Sequence, residues 1–347
     1  SPSAIIYPCM PEIRIDLITE ERVIVATERS RRPHDFKKAE TTAEPAPEFV
    51  PTCPFCVGNE AMTPPEVDAF REAGTAPDTP GWWVRTVPNK FPALAPDADD
   101  APDAVGIYTR FGGYGVHEVI IETPKHNETP VVASAHQWRE AVRMYQRRLQ
   151  TLTRNERLQT VLIFRNEGKA AGASLEHPHS QLVGLPFIPP VLQRYIEGVA
   201  RYQSRHGRHP LEAILEHEVR EGTRLVNQTA RFVVYAPFAS RVPYELAIAP
   251  TTPDLQLATM DADALSEFAD VLQDALRRLY AALGNPPYNY MLFTAPAGYD
   301  GVFWEYVRIA PRLSIDAGFE LGSGVGINIT APEDAARYLR EASMASA

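Results

Sequence analysis

The chain has 347 residues, 44% of them apolar, and no apolar run near the roughly 18 that a membrane helix needs, so it can bury a sizeable core and is not expected to cross a membrane. Its 34 basic and 44 acidic side chains leave a formal charge of −10, which argues against a nucleic acid polymer as partner but not against a nucleotide, for which a local basic pocket suffices. Three cysteines are too few for a disulfide framework, and residues 1–17 lack the basic-then-apolar pattern of a secretory signal, so a reducing, cytoplasmic compartment is expected.

In chain order, residues 41–51 and 95–103 are polar, proline-rich and expected to be exposed loops, with a strand leading into a turn between them at "GWWVRTVPNKFPAL". From Val116 the pattern sharpens. "VHEVIIETP" (116–124) has the β-branched density of a buried strand. Residues 133–155 carry Trp138, Ala141, Val142, Tyr145, Leu149 and Leu152 at helical spacing. "TVLIFRNEG" (160–168) and "HSQLVGLP" (179–186) read as strands. The same order of strand, helix, strand, strand returns at 242–250, 260–284, 288–296 and 303–313, with Leu265, Phe268, Leu272, Leu276 and Leu279 on the helix face. Val116-His117-Glu118 and Pro243-Tyr244-Glu245 correspond at a shift of 127 residues, and Phe164 then falls on Met291. This is the pattern of a duplicated module with a junction near 190–215. A last helix is expected at 332–342.

The halves differ in chemistry. The first holds "TCPFCVGNE" (52–60) and "GASLEHPHSQLVG" (172–184), whereas the second has "GYDGVFWEYVRI" in place of the latter, without histidine or cysteine. Cys53 and Cys56 form a C-x-x-C, half of a tetrahedral zinc site. A thioredoxin-type redox pair wants a helix beginning at the first cysteine, and "CPFCVGNEAMTPPE" breaks too early for one, so zinc is favoured. Of the nine histidines, His34, His136, His206, His209 and His217 read as solvated surface, the last three in a charged linker, and His117 as a satisfied core histidine. His126 follows a strand between two prolines, and His177 and His179 flank Pro178. Cys53, Cys56 and His126 leave one place in a four-coordinate site, so one of the paired imidazoles is spare. Residues i and i+2 of an extended segment share a face. A metal on His177 therefore pins the backbone that aims His179 into a cleft.

The motifs "HPHSQ" and "CPFC" resemble the histidine-triad superfamily, specifically its galactose-1-phosphate uridylyltransferase branch. The resemblance extends in order through residues 11–36, "RTVPNKFPAL" (85–94), "GVHEVIIETPKHNETP" (115–130), "RNEGKAAGASLEHPHSQL" (165–182), "FASRVPYE" (238–245) and "GFELGSGVGIN" (318–328). It implies an α+β fold of two tandem histidine-triad-like modules. Each is a mainly antiparallel sheet with a packed amphipathic helix, and together they form one continuous half-barrel-like unit. Residues 1–190 are then the module with zinc and the catalytic histidine, and 191–347 a degenerate module completing the substrate site. The resemblance further implies structural zinc on Cys53, Cys56, His126 and His177, with His179 the nucleophile that carries a nucleoside monophosphate. Gln181, Ser174 and Asn166 bond phosphate oxygens in such a protein, with backbone amides of "GKAAGAS" (168–174), Gly172 among them. Arg29 and Arg32 meet the diphosphate, and Asn89 and Phe91 line the base and ribose. Relatives act as homodimers.

Three departures qualify the expectation. The segment 302–313 has none of the histidines that bind a second metal in some relatives. Ser323 and Gly324 stand where galactose-using relatives have larger polar side chains that grip the hexose. Ser180 replaces the glycine of the better-known uridylyltransferases and matches relatives that include a phosphorylase acting on ADP-glucose. The leading expectation is a ping-pong nucleotidyltransferase acting on a nucleotide sugar and a sugar 1-phosphate. The alternative is a nucleotide-sugar or dinucleotide phosphorylase, with inorganic phosphate as acceptor and adenine as base. A catalytically inactive zinc-stabilised nucleotide-binding protein is the reading of another class, and His179 and Gln181 count against it, because a pure binder gains little from a nucleophile beside a phosphate.

Overall fold

The computed structural model describes residues 10–27 and 46–342. In the first half lie β1 (Glu12–Ile15), β2 (Arg22–Val25), β3 (Asp68–Arg71), β4 (Trp82–Pro88), β5 (Pro102–Val105), β6 (Tyr108–Phe111), β7 (Val116–Ile121), α1 (Ala135–Leu152), β8 (Thr160–Glu167) and β9 (His179–Leu185). There follow α2 (Pro190–His206), α3 (Pro210–Glu221), β10 (Leu225–Gln228), β11 (Phe232–Tyr235), β12 (Leu246–Pro250) and α4 (Ala262–Leu283). The chain continues through β13 (Tyr288–Phe293), β14 (Tyr306–Pro311), α5 (Gly318–Ser323), β15 (Gly326–Asn328) and α6 (Pro332–Glu341).

The fold is α+β. Ten strands make one sheet in the order β10-β11-β12-β14-β13-β8-β9-β7-β4-β3, with every pairing antiparallel. The outermost strands do not pair with each other, so the sheet stays open rather than closing into a barrel. At its centre β8 meets β13 with Phe164 opposite Met291. Outward from that pair the order is the same on both sides: β8-β9-β7-β4-β3 and β13-β14-β12-β11-β10. The 127-residue shift recurs in the starts of α1 and α4, at Ala135 and Ala262, and of β9 and β14, at His179 and Tyr306.

Helices α1 and α4 form because an apolar stripe at helical spacing has a sheet to cover. The Ser134 hydroxyl accepts from Gln137 N at 3.1 Å to start α1, and Asp261 caps α4 through Ala264 N at 2.8 Å. Gly284 ends α4 in the left-handed region, φ 68°. All the residues expected on the two stripes are buried, in one core that spans both halves. Burial of each large apolar side chain there contributes about 1.5–3 kcal/mol. The Trp138 indole donates to Ala269 O at 2.8 Å, tying one helix to the other.

The structure differs from the sequence reading in three places. The strand expected at 242–250 begins only at Leu246, because Glu245 accepts from Arg241 N and Val242 N and Tyr244 adopts φ 60°, which makes a turn. The loop expected at 95–103 runs into an exposed hairpin, β5–β6, whose Asp- and Pro-rich first strand shows no apolar alternation. The junction read as a charged linker is the helix pair α2 and α3, each with proline in its first turn and a left-handed glycine, Gly207 or Gly222, at its end. His206 and His217 are exposed, but His209 is buried: its Nδ1 accepts from Leu211 N at 3.1 Å as the cap of α3. Among the described residues, no helix is long and apolar enough to cross a membrane.

Candidate active site and metal cluster

Four donors converge at the end of β7 and the start of β9. The Cys53–Cys56 knuckle is closed by Cys56 N donating to Cys53 O at 3.3 Å and by the Asn59 amide donating to the same oxygen at 2.8 Å. His126 sits beyond β7, where its N–H donates to Glu48 O at 2.8 Å, and His177 lies two residues before β9 begins. One ligand atom from each of Cys53, Cys56, His126 and His177 lies within 4.8 Å of the others, and all four residues are buried. The His177 Nδ1 is 3.7 Å from each sulfur and the His126 Nδ1 3.6 Å from the Cys56 sulfur. His177 Nε2 donates to Thr123 O at 2.8 Å, which leaves Nδ1 unprotonated toward the sulfurs. Burial pushes the Cys53 thiol up to about 11, with Cys56 adding to the effect, and pushes His177 down to about 3. Two sulfurs and two imidazole nitrogens packed together in this way can hold a metal ion, whose charge would reverse the burial penalty on a thiolate.

His179 is not part of that cluster. Its Nδ1 is 2.7 Å from the His177 carbonyl oxygen, to which it donates, so Nε2 carries the lone pair. The imidazole is 6% exposed and packs edge-on against Phe55, ring centroids 5.3 Å apart. Burial holds His179 below the ordinary histidine value, opposed by the bond to the His177 carbonyl, so the ring stays neutral and nucleophilic. Two residues along the same strand face stands Gln181, whose Oε1 is 2.8 Å from His117 Nε2. Asn89 Nδ2 lies 3.1 Å from that same nitrogen.

Ser180 points through to the other face of β9, toward α1. Its hydroxyl donates to Glu122 Oε1 at 2.5 Å and lies 2.7 Å from the Tyr145 hydroxyl and 3.1 Å from that of Tyr290. Glu122 also accepts from Tyr145 and from Arg165, whose Nη1 reaches the His179 carbonyl at 3.3 Å. Arg165 is 1% exposed and held on its other side by Glu167 at 2.6 Å. A fully satisfied buried network thus braces the strand that carries His179.

The remaining expected site residues divide. Asn166 Oδ1 accepts from Asn289 Nδ2 at 2.8 Å, and Asn289 Nδ2 also donates to Ala171 O at 2.8 Å. This fixes the 169–172 turn, where Gly172 takes φ 89° with its α-carbon facing the Asn166 amide. Ser174 is exposed on the loop leading to His177. Phe91 is 83% exposed, with its N–H donating to Asn89 Oδ1 at 2.9 Å. Arg29, Arg32 and His34 lie outside the described residues. Four residues that bear on the site were not singled out from the sequence: Phe55, Glu122, Arg165 and Asn289. His117, read there as a core histidine, is instead half-buried beside Gln181. It lies on β7, which pairs with the strand that carries "HSQ".

A cavity of about 600 Å³ does not adjoin His179. It lies over the second half and is lined by Tyr306 and Arg308, which sit 127 positions after His179 and Gln181. Arg194, Arg224, Arg241 and Arg308 there each pair with a glutamate, namely Glu21, Glu218, Glu21 and Glu245. Its arginines are matched by glutamates, its lining histidine, His217, is exposed, and Tyr306 stands at the position that corresponds to His179.

An open antiparallel sheet with a buried Cys2His2 cluster, and beyond it an imidazole with a free Nε2, defines a nucleotidyltransferase of the histidine-triad kind. Residues 6–189 match the galactose-1-phosphate uridyl transferase N-terminal domain, and the chain belongs to that family. It is 32% identical to an ADP-glucose phosphorylase of Arabidopsis thaliana over 344 residues, covering 96% of this chain and 93% of the relative. It is 30% identical to a galactose-1-phosphate uridylyltransferase of Thermotoga maritima over 343 residues, covering 96% and 98%. The crystal structure of an Arabidopsis thaliana ADP-glucose phosphorylase with bound ADP-glucose superposes with a TM-score of 0.81 at 28% identity, covering 97% of this chain and 100% of that one.

Proposed function

We propose that the chain transfers a nucleoside monophosphate from a nucleotide sugar to a phosphate-bearing acceptor through a nucleotidyl-His179 intermediate. The observation that carries the proposal is the His179 tautomer, with Nδ1 donating to the His177 carbonyl and Nε2 left as a buried, neutral nucleophile. In the first half-reaction Nε2 attacks the α-phosphorus, an N–P bond forms, and the bond to the β-phosphate bridging oxygen breaks, its electron pair leaving with the sugar 1-phosphate. The His177 carbonyl stabilises the positive charge that the ring gains. In the second, an acceptor phosphate oxygen attacks the same phosphorus and the N–P electron pair returns to Nε2. The amide of Gln181, with Asn166, Ser174 and the 169–172 turn, is suited to stabilise the charge on the non-bridging oxygens.

Cys53, Cys56, His126 and His177 hold structural zinc in this reading. Tetrahedral zinc with ordinary Zn–S and Zn–N lengths separates sulfur from nitrogen by about 3.6 Å, and the separations here are 3.6 and 3.7 Å. The metal's part is to fix His177, and through its carbonyl the orientation of His179. We further propose modules at 1–190 and 191–347, a cytoplasmic location, and a homodimer. The exposed Phe319 and Leu321 of α5, in the segment that resembles cross-subunit contacts of relatives, support the dimer.

The chain's 32% identity to an ADP-glucose phosphorylase, against 30% to a uridylyltransferase, favours a second form of the same chemistry, with ADP-glucose as donor and inorganic phosphate as acceptor. Incubation with α-labelled UDP-glucose or ADP-glucose tests both. Acid-labile, base-stable label on the chain is expected, released by a sugar 1-phosphate in the first form and by phosphate in the second. His179→Gly should abolish labelling and retain the metal, whereas His177→Ala should lose metal and stability. Labelling that persists in His179→Gly would falsify the assignment.

A further inference from the structure

We propose that His117 is a positioning residue that sets which way round the Gln181 amide faces. This rests on the nucleotidyl transfer proposed above and concerns the same site. The backbone N–H of Ala93 donates to His117 Nδ1 at 3.1 Å, so that nitrogen must carry a lone pair. In the neutral ring the proton is then on Nε2. At 2.8 Å from Nε2 stands Gln181 Oε1, which accepts that proton. The reversed amide would set its NH2 group against an N–H, so Oε1 is committed to His117 and the Gln181 NH2 is directed away from it. Asn89 is fixed in the same sense, because its Oδ1 accepts from Phe91 N at 2.9 Å. Its Nδ2 stands 3.1 Å from the same Nε2. With Oε1 held by His117, the Gln181 amide presents its NH2 donors to the site.

The placement follows from the sheet. His117 on β7 pairs with Val183 on β9, and Val119 pairs with Gln181, so His117 and Gln181 are diagonal neighbours on one face. That is also the face of His179, two residues before Gln181. A glutamine free to turn over would spend part of its time with a carbonyl oxygen facing the phosphoryl oxygens it must stabilise. His117 removes that state, and removing an oriented donor of this kind typically lowers a rate by 10²–10³.

The test is a double-mutant cycle read by single-turnover labelling of His179 with α-labelled nucleotide sugar. His117→Phe should slow labelling by about ten- to a hundredfold while KM stays within about threefold, since the lost interaction is one of the transition state. His117→Gln, which can still donate to Gln181, should recover most of the rate. In a Gln181→Met background, His117→Phe should have no further effect. An equal cost in both backgrounds overturns the proposal by showing that His117 does not act through Gln181. Nitrogen NMR of the wild-type ring gives a reading independent of activity: the proton is expected on Nε2, and a proton on Nδ1 overturns the proposal. If wild-type protein takes no label while the ring shows the expected tautomer, it is the transfer reaction that fails and not the His117–Gln181 pairing.

Discussion

Ser180 is the residue whose sequence context and structural place disagree most, and Ser180→Ala separates them. The resemblance links this serine to relatives acting on ADP-glucose, which would suggest that it reads the base. In the structure its side chain is fully buried on the helix side of β9, opposite His179 and Gln181, and bonds Glu122, Tyr145 and Tyr290. The loss on substitution is one hydrogen bond to a carboxylate, about 1.5–3 kcal/mol. The Tyr290 proton can transfer its bond to the Tyr145 hydroxyl, 2.7 Å away, so no donor is orphaned and a cost of about 2 kcal/mol is expected. Urea unfolding should show a lowered midpoint with an unchanged slope. The ratio of His179 labelling rates from ADP-glucose and UDP-glucose should stay within about threefold of wild type. A tenfold change in that ratio, worth about 1.4 kcal/mol of discrimination, with stability unaltered, would refute the reasoning.

Three further outcomes are expected. Glu122→Ala strips the fully buried Arg165 of one of its two carboxylates and should cost about 3–5 kcal/mol in chemical unfolding, with Glu122→Gln intermediate; a loss under 1 kcal/mol would mean that the network does not brace β9. Purified protein should contain one zinc per chain by elemental analysis, and chelation or Cys56→Ser should lower stability by about 4 kcal/mol or more in protein otherwise saturated with metal; full stability without metal would contradict the cluster's role. Glu305 is buried, and burial raises its carboxyl to about 7 despite N–H bonds from Leu257 and Ala295. A raised folded-state value means that this contribution to stability is complete below about 4.5 and lost as pH rises through 7, a change of about 3 kcal/mol. Glu305→Gln should flatten the stability profile over that window, and an unchanged slope would count against the assignment.

The elements legible in the sequence were those whose burial leaves a pattern. The stripes of α1 and α4 carry helical periodicity because each faces a core on one side only, and β7 reads as a continuous β-branched run because Ile120 packs into one core and Val119 and Ile121 into another. The Cys2His2 set was legible because sulfur and imidazole at those spacings have few structural uses. The edge hairpin β5–β6 was hidden because its side chains face solvent and leave no pattern, and α2 and α3 were masked by a high charge content although Pro190, Gly207, Pro210 and Gly222 punctuate them. His117 and Asn289 could not be found by inspection of motifs. Each gains its role from a partner far along the chain, Gln181 and Asn166 respectively, and only strand register brings the partners together.

The two halves share a backbone plan and divide its uses. Where the first half has His179 and Gln181, the second has Tyr306 and Arg308, and the Arg308 guanidinium is taken up by Glu245 at 2.6 Å. That ion pair and the others around the large cavity stabilise charges that a phosphate site would have to leave available. The second half nonetheless enters the first half's chemistry through β13, the strand that pairs with β8. From it Tyr290 joins the Glu122 network behind His179, and Asn289 holds Asn166 and the 169–172 turn in front. Consecutive residues of one strand therefore brace opposite faces of the site.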